Sequence, residues 1–427
     1  MAKIFLEQAG RIAVTRTKES PKGTPQAANG VTMDFDSGSG LGLERIIEDD
    51  RDLITGSETP GNIFYASHTA AGGLSQKRAK PDLLTFVLAH FFGNCESTSV
   101  STSAYRHTIT PLADIDHPGF TLIQRRGNSI LKERYSGNHI EGFTLELGES
   151  WVSISADIKG WGKREVNYEH EIVSAEANST QITLAENAVE GADDAERLEN
   201  VFRVRARDVG EDHWTHAPVS SVSSDTPAVI TLATAIGTST DSIDFHVDYI
   251  PEEPDWCSFP ERIDESPLKL MDARVIVDGY YNGEEVLGGQ VLPGKVLSFS
   301  LQGSNEIDIR HVPDASGALH AGESLRGGRL VTVKITEKLK DTIRQYQQDH
   351  AEAESLSVYL QLRGAEIDPG SGIYFGADIM LPKCGILNAP ITVSGKYLAQ
   401  EGDLIVLDDG TYDGVIIKCY NQQASYL

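Results

Sequence analysis

The stretch RYSGNHIEGFTLELGESWVSISADIKG, residues 134–160, decides the class of the fold. Phe143, Leu145 and Leu147 alternate with Thr144 and Glu146, and Gly148-Glu149-Ser150 makes a break. Val152, Ile154, Ala156 and Ile158 then alternate with Ser153, Ser155 and Asp157. Successive side chains of a strand point to opposite sides, so a strict period of two predicts a β-hairpin. One face is apolar; the other is polar and partly acidic. No catalytic group stands at the bend, and no histidine or cysteine cluster accompanies it. The functional question is what the wet face looks at.

Composition narrows the answer. A chain of 427 residues with 40% hydrophobic residues can bury a real core and predicts two or three structural units. Its 37 basic against 63 acidic residues leave a net charge of -26. That balance disfavours tight nucleic-acid binding, which relies on basic groups displacing counterions, and disfavours an anionic membrane surface. It is compatible with a protein that DNA must pass without sticking. Cys95, Cys257, Cys384 and Cys419 lie far apart with no CxxC pair, which predicts free thiols in a reducing compartment rather than a metal ribbon. The start, MAKIFLEQAGRIAVTRT, lacks the apolar core of a signal peptide, and no 18-residue apolar run occurs. The expectation is a soluble protein made in a cytoplasm.

Organisation follows from texture. Residues 15–80 are rich in Gly, Ser, Thr and Pro, which predicts an extended arm with short strands, ordered by contacts to something else. KPDLLTFVLAHFFGN predicts a helix: Pro81 suits its first position, Asp82 its positive end, and Gly93 its stop. Strands follow, among them YRHTITP and GFTLIQRRG. From about residue 166 to 255, short strands recur every ten residues or so, which predicts a small all-β module. PEEPDWCSFPERIDESP reads as its exit linker, and strand-like runs resume to the end. A second helix is expected at residues 337–354, with Leu339, Ile343 and Tyr346 on one side. SWVSISADIKGWGK and GIYFGADIMLPKCG form a weak internal echo. The divisions expected are 1–80 for the arm with assembly loops, 81–165 and 256–427 for the main domain, and 166–255 for the insertion.

Chemistry is sparse. His213 and His216 in EDHWTHAP lack a third metal ligand. His107 and His117, at strand ends, are expected to bond turn backbone. DSGSGLGLERI has glycines but no Lys-Ser/Thr ending of a phosphate loop. Asp49-Asp50, Asp193-Asp194 and Asp408-Asp409 lack the spacing of a calcium loop, and no Gly-x-Ser-x-Gly elbow occurs. No catalytic, cofactor-binding or metal-ligating residue is expected, and no enzyme.

The order of the elements resembles the tail tube proteins (major tail proteins) of long-tailed, non-contractile bacteriophages. Glu19 is followed by Gly23-Thr24; ERIIEDDRDLITGSETPGN comes next; the Leu-rich helix DLLTFVLAHFFG ends at glycine. An aromatic-x-His-Thr strand runs from Tyr105 to Thr108, Phe120 to Leu122 opens the next, and a Tyr-x-Gly turn leads into the hairpin quoted first. ADIMLP and DDGTYDGVIIKCYNQ complete the match, which covers about residues 10–165 and 285–427. The resemblance implies a mainly β, tail-tube-like sandwich or barrel with a flanking α-helix, here with the small all-β module inserted. It implies subunits joined into rings, usually sixfold or threefold where the fold is duplicated, and rings stacked through loops and arms. It further implies tail tip or baseplate and terminator proteins as partners, a tape measure protein inside the tube, and location in the virion tail after assembly in the host cytoplasm. The channel would be acidic, passing DNA without adhesion, with no membrane and no cofactor; Glu146 and Asp157 are the candidate lumen-facing acids. Alternatives are another virion structural or adhesion protein, such as a tail fibre or decoration that binds host-surface carbohydrate, a carboxylate hydrolase, and the much shorter contractile-type or type VI secretion tube proteins.

Overall fold

The computed structural model describes residues 9–26, 30–32, 34–49, 59, 61–127, 131–176, 178–207, 213–236, 242–263, 265–292, 296–313, 318–338, 355–394 and 396–427. The protein is mainly β, with large antiparallel sheets and few helices. It divides into a larger unit, Arg11–Gln124, Tyr135–Arg164 and Pro260–Leu427, and a smaller one, Met1–Gly10, Arg125–Arg134 and Glu165–Phe259.

The first part of the chain gives β1 (Arg11–Thr15), β2 (Gly30–Thr32), β3 (Gly40–Asp49), β4 (Ile63–Gln76), α1 (Pro81–Phe92), β5 (Gly93–Ser99), β6 (Tyr105–Pro111), β7 (Phe120–Arg125), β8 (Lys132–Leu147) and β9 (Val152–Val166). The smaller unit adds β10 (Glu169–Glu176), β11 (Gln181–Thr183), α2 (Asp194–Glu199), β12 (Val201–Arg207), β13 (Thr215–His216), β14 (Val219–Val222), β15 (Val229–Leu232) and β16 (Ser242–Tyr249). The last part holds β17 (Ala273–Tyr281), β18 (Val286–Val291), β19 (Val296–Arg310), β20 (Glu323–Lys338), β21 (Ser355–Glu366), β22 (Tyr374–Asn388), β23 (Ile391–Ser394), β24 (Tyr397–Val406) and β25 (Ile416–Asn421).

The quoted hairpin is β8 and β9, closed where the Gly148 N–H donates to the Trp151 carbonyl at 3.0 Å. Phe143, Leu145, Leu147, Val152, Ile154, Ala156 and Ile158 are all buried, as their alternation requires. The hairpin is central because both its strands find further partners: β9 pairs with β4, and β8 with β19. From β19 the antiparallel ladder runs through β20 and β24 to β22. β22 also pairs with β21 and with β25, which lead to β17 and β6.

α1 starts and stops where its sequence says. Pro81 lies in its first turn with Asp82, and Gly93 ends it at φ 88°. All twelve of its residues are buried, so it is a core helix rather than a surface one. Phe86 and Phe91 meet Phe120 and Phe143 edge-on, at 5.2 and 4.7 Å between ring centres. A helix buried at its C-terminal end leaves carbonyls needing donors. Asn305 Nδ2 supplies one to Phe91 O at 2.9 Å, and Arg329 Nη2 supplies one to Phe92 O at 3.0 Å.

In the smaller unit, β10–β16–β12–β13 and β11–β15–β14 form two sheets whose side chains share one core, including Ile182, Val204, Ile230, Phe245 and Val247. Asp193 caps α2 by accepting the Glu196 N–H.

Two expectations change. Within residues 1–80, Ala13, Val14 and Thr15 of β1 are fully buried, β1 pairs with β2 and β7, and β3 and β4 form a long hairpin. The described part of the arm is thus held by its own chain. The second helix fails at its start: Glu337 and Lys338 end β20, pairing with Gln400 and Ala399, and residues 339–354 lie outside the described ones. His107 bonds the Gln423 backbone as expected, and side chains as well, with Asn421 Oδ1 3.0 Å from Nε2 and Ser97 Oγ 2.8 Å from Nδ1.

Candidate assembly site

Glu146 and Asp157 both lie on the exposed side of the β8–β9 hairpin. Asp157 stands beside Gly142, four residues along β8 from Glu146, or roughly 13 Å at the rise of a strand. They share a face without forming a pair. Ser300 of β19 is the register partner of Glu146, and Lys334 of β20 is that of Ser300. Lys334 binds Glu401 at 2.8 Å and lies 3.9 Å from Asp403 on β24. The face running across these strands is therefore mostly hydroxyls and acids, with Lys334 held by carboxylates and Lys159 paired with Glu141. Such a surface offers phosphate little to bind.

A second feature locks the arm. Glu19 is buried, and its carboxylate accepts the Gly23 N–H at 2.8 Å, the Gly137 N–H at 3.1 and 3.0 Å, and the Thr121 hydroxyl at 2.8 Å. Burial pushes its pKa up, while those donors and Lys163 pull it down. Gly23 and Gly137 adopt φ of 71° and 72°, and a Cβ at either would strike the Trp161 ring, at 2.3 and 2.7 Å. Glu19-x-x-x-Gly23, the Phe-Thr-Leu strand and the Tyr-x-Gly turn thus converge on one carboxylate and one indole. Sequence order singled out these elements, but not their meeting point. Beside it, Arg16 pairs with Asp82 of α1 at 3.2 Å, Asp82 N–H donates to Glu265 at 2.9 Å, and the Tyr426 hydroxyl donates to Asp82.

Two exposed apolar clusters were not read from the sequence. Ile46, Ile47, Ile63, Phe64 and Tyr65 face solvent at one end of β3 and β4, with Ile63 75% exposed. Leu387, Ile391, Val393 and Leu398 do so around β22, β23 and β24, with Val393 73% exposed. In both, register places apolar residues opposite each other: Ile47 with Tyr65, and Val393 with Leu398. A lone exposed leucine is ordinary, whereas a contiguous patch marks a protein contact.

The remaining candidates do not assemble into chemistry. His216 lies in β13, while Glu211 and Asp212 fall outside the described residues. Among the described residues no group of three or more His, Cys, Asp or Glu is arranged to hold a metal. Asp408 and Asp409 cap a turn, accepting the N–H groups of Gly410, Thr411 and Tyr412. DSGSGLG forms a turn closed by Ser39 N–H to Asp36 O, leading into β3. The Ala-Asp-Ile echoes fall on β9 and β22, each with its Ala and Ile buried. Among the described residues no helix is long and apolar enough to cross a membrane. No family model matches the chain, and no curated protein matches it.

Proposed function

We propose that this chain is a structural subunit that self-assembles into stacked rings forming the tail tube of a long-tailed bacteriophage, with an acidic channel for DNA. The observation that carries the reading is the pair of exposed apolar clusters at β3–β4 and β22–β24. An apolar surface of that kind is stabilised by burial against another chain, at about 25 cal/mol per Å² removed from water. Repetition of one contact between identical subunits builds closed rings or continuing stacks. The broad face of hydroxyls and acids, with Glu146 and Asp157 on it, suits a lining that DNA slides past. The order of motifs converging on Glu19 and Trp161 supports the family resemblance, and tail tip, terminator and tape measure proteins follow from it as partners.

Sedimentation of Phe64→Asp and Val393→Asp beside the unaltered chain tests this. The reading expects the unaltered chain to form large species as concentration rises, and the variants to stay small with unchanged thermal unfolding. Identical sedimentation of all three contradicts it.

A further inference from the structure

The outer face of the sheet β10–β16–β12–β13 differs from the rest of this acidic chain. The inner face carries Val204, Ala206, Ile243, Phe245 and Val247 into the core. On the outer face, register sets His170, Asp248 and Arg203 in one row and Ile172, His246, Arg205 and His216 in the next. Ser174, Asp244 and Arg207 make the third. Against a net charge of -26, three arginines here match the three acids of the same face, Glu176, Asp244 and Asp248, with three histidines among them.

An aromatic platform stands on that face. The Trp214 ring centre lies 4.3 Å from that of His246, in an edge-on arrangement. The Arg205 and Arg207 guanidinium carbons lie 4.5 and 5.9 Å from the same ring centre, yet the residue remains 38% exposed. Buried Arg205 Nε has no hydrogen-bond acceptor, an unmet donor beside an exposed ring. The carboxylates nearby are already organised. Asp248 takes His170 and Arg203, each at 2.6 Å, and Asp244 accepts the Ser174 hydroxyl at 2.6 Å.

We propose that this face binds an acidic polysaccharide of the uronic-acid class. A sugar ring lies on Trp214, its carboxylate is received by Arg205 and Arg207, and its hydroxyls reach Asp244 and Asp248. Guanidinium groups recognise carboxylates through paired, charge-assisted hydrogen bonds, and an indole offers a flat apolar platform to the C–H face of a sugar. The mixture decides between polyanions. A polyphosphate backbone has no hydroxyl donors to match Asp244 and Asp248, and the chain's overall charge opposes a dense polyanion such as DNA. This inference does not depend on the tube reading, since it concerns a different sheet.

The test is affinity electrophoresis of the full chain through gels containing polygalacturonate, hyaluronate, neutral dextran or no polymer, with a duplex DNA shift assay alongside. Retardation by at least one uronic-acid polymer is expected, with none by dextran and no DNA shift. Trp214→Ala and Arg205→Gln should each weaken retention tenfold or more, while Glu146→Gln should not change it. Thermal unfolding identifies any variant that fails to fold, in which case Arg207→Gln takes its place. Absence of retardation by both acidic polymers overturns the proposal. So does full retention in the folded variants, or binding of DNA as tight as that of the polysaccharide.

Discussion

The Glu19 carboxylate accepts the backbone N–H of Gly137 at 3.1 and 3.0 Å, joining two positions 118 residues apart. Because Gly23 and Thr121 donate to the same group, removing it orphans several buried donors at once. Leaving a buried donor unpaired costs about 1–3 kcal/mol. Glu19→Ala should therefore lose about 3 kcal/mol or more in urea unfolding. Glu19→Gln should also destabilise, since its amide nitrogen faces N–H groups. An unchanged midpoint in both variants would show that this junction is not a lock.

The indole packed on that junction makes a separate demand. Gly137→Ala adds a Cβ at φ 72°, 2.7 Å from the Trp161 ring. The left-handed backbone alone costs an L-residue about 1–2 kcal/mol, and the clash adds to it. Thermal unfolding should fall by several degrees; Gly410→Ala, also at positive φ but with open space around it, should lose less.

Acid should destabilise the larger unit through its histidines. Burial lowers His90 to about 4, His139 to about 3 and His117 to about 2, against an ordinary value of 6.5. Between pH 6.5 and those values the unfolded chain binds protons that the native chain refuses, so stability falls as pH falls. Each such group contributes on the order of 1 kcal/mol per pH unit. Glu265, raised to about 7 by burial and then by Asp82, acts oppositely, since the native state keeps a proton that the unfolded state loses above 4.5. Glu19, also raised, acts in the same direction. The net slope is therefore moderate from pH 6.5 to 4.5 and steeper just below, where Glu366, Asp368 and Glu401, held low by their hydrogen bonds, act in the same direction as the histidines. Urea midpoints from pH 7.5 to 3.5 read it; a midpoint that rises steadily on acidification would contradict the account.

Reversing charge on the wet face should change adhesion, not folding. Glu146→Lys with Asp157→Lys should alter stability by no more than about 0.5 kcal/mol, as expected of exposed positions. The assembled double variant should retain DNA in a salt-dependent way, whereas the unaltered assembly should not. Equal DNA retention by both would remove these residues from the channel.

The hairpin was legible because its period is local: Phe143 to Leu147 and Val152 to Ile158 declare one buried face each. α1 was legible at its ends, through Pro81, Asp82 and Gly93, but not in its surroundings. Burial of Thr85 and His90 comes from strands distant in sequence. The arm was misread for the same reason, since glycine and serine content says nothing of a Glu19 partner at position 121 or 137. Glu337 and Lys338 read as the start of a helix from the spacing of Leu339, Ile343 and Tyr346, yet pairing with β24 sets them as strand. The wet face was readable; the apolar clusters were not, because Ile63 and Val393 look like core residues until their surroundings are known.

Negative-stain electron microscopy of the concentrated, purified full chain, alone and with a tail-tip initiator, tests the central claim most directly. The account predicts hollow rods or stacked rings with a central channel, whose end views give the number of subunits. Separate particles without a channel, even in the presence of the initiator, would contradict it.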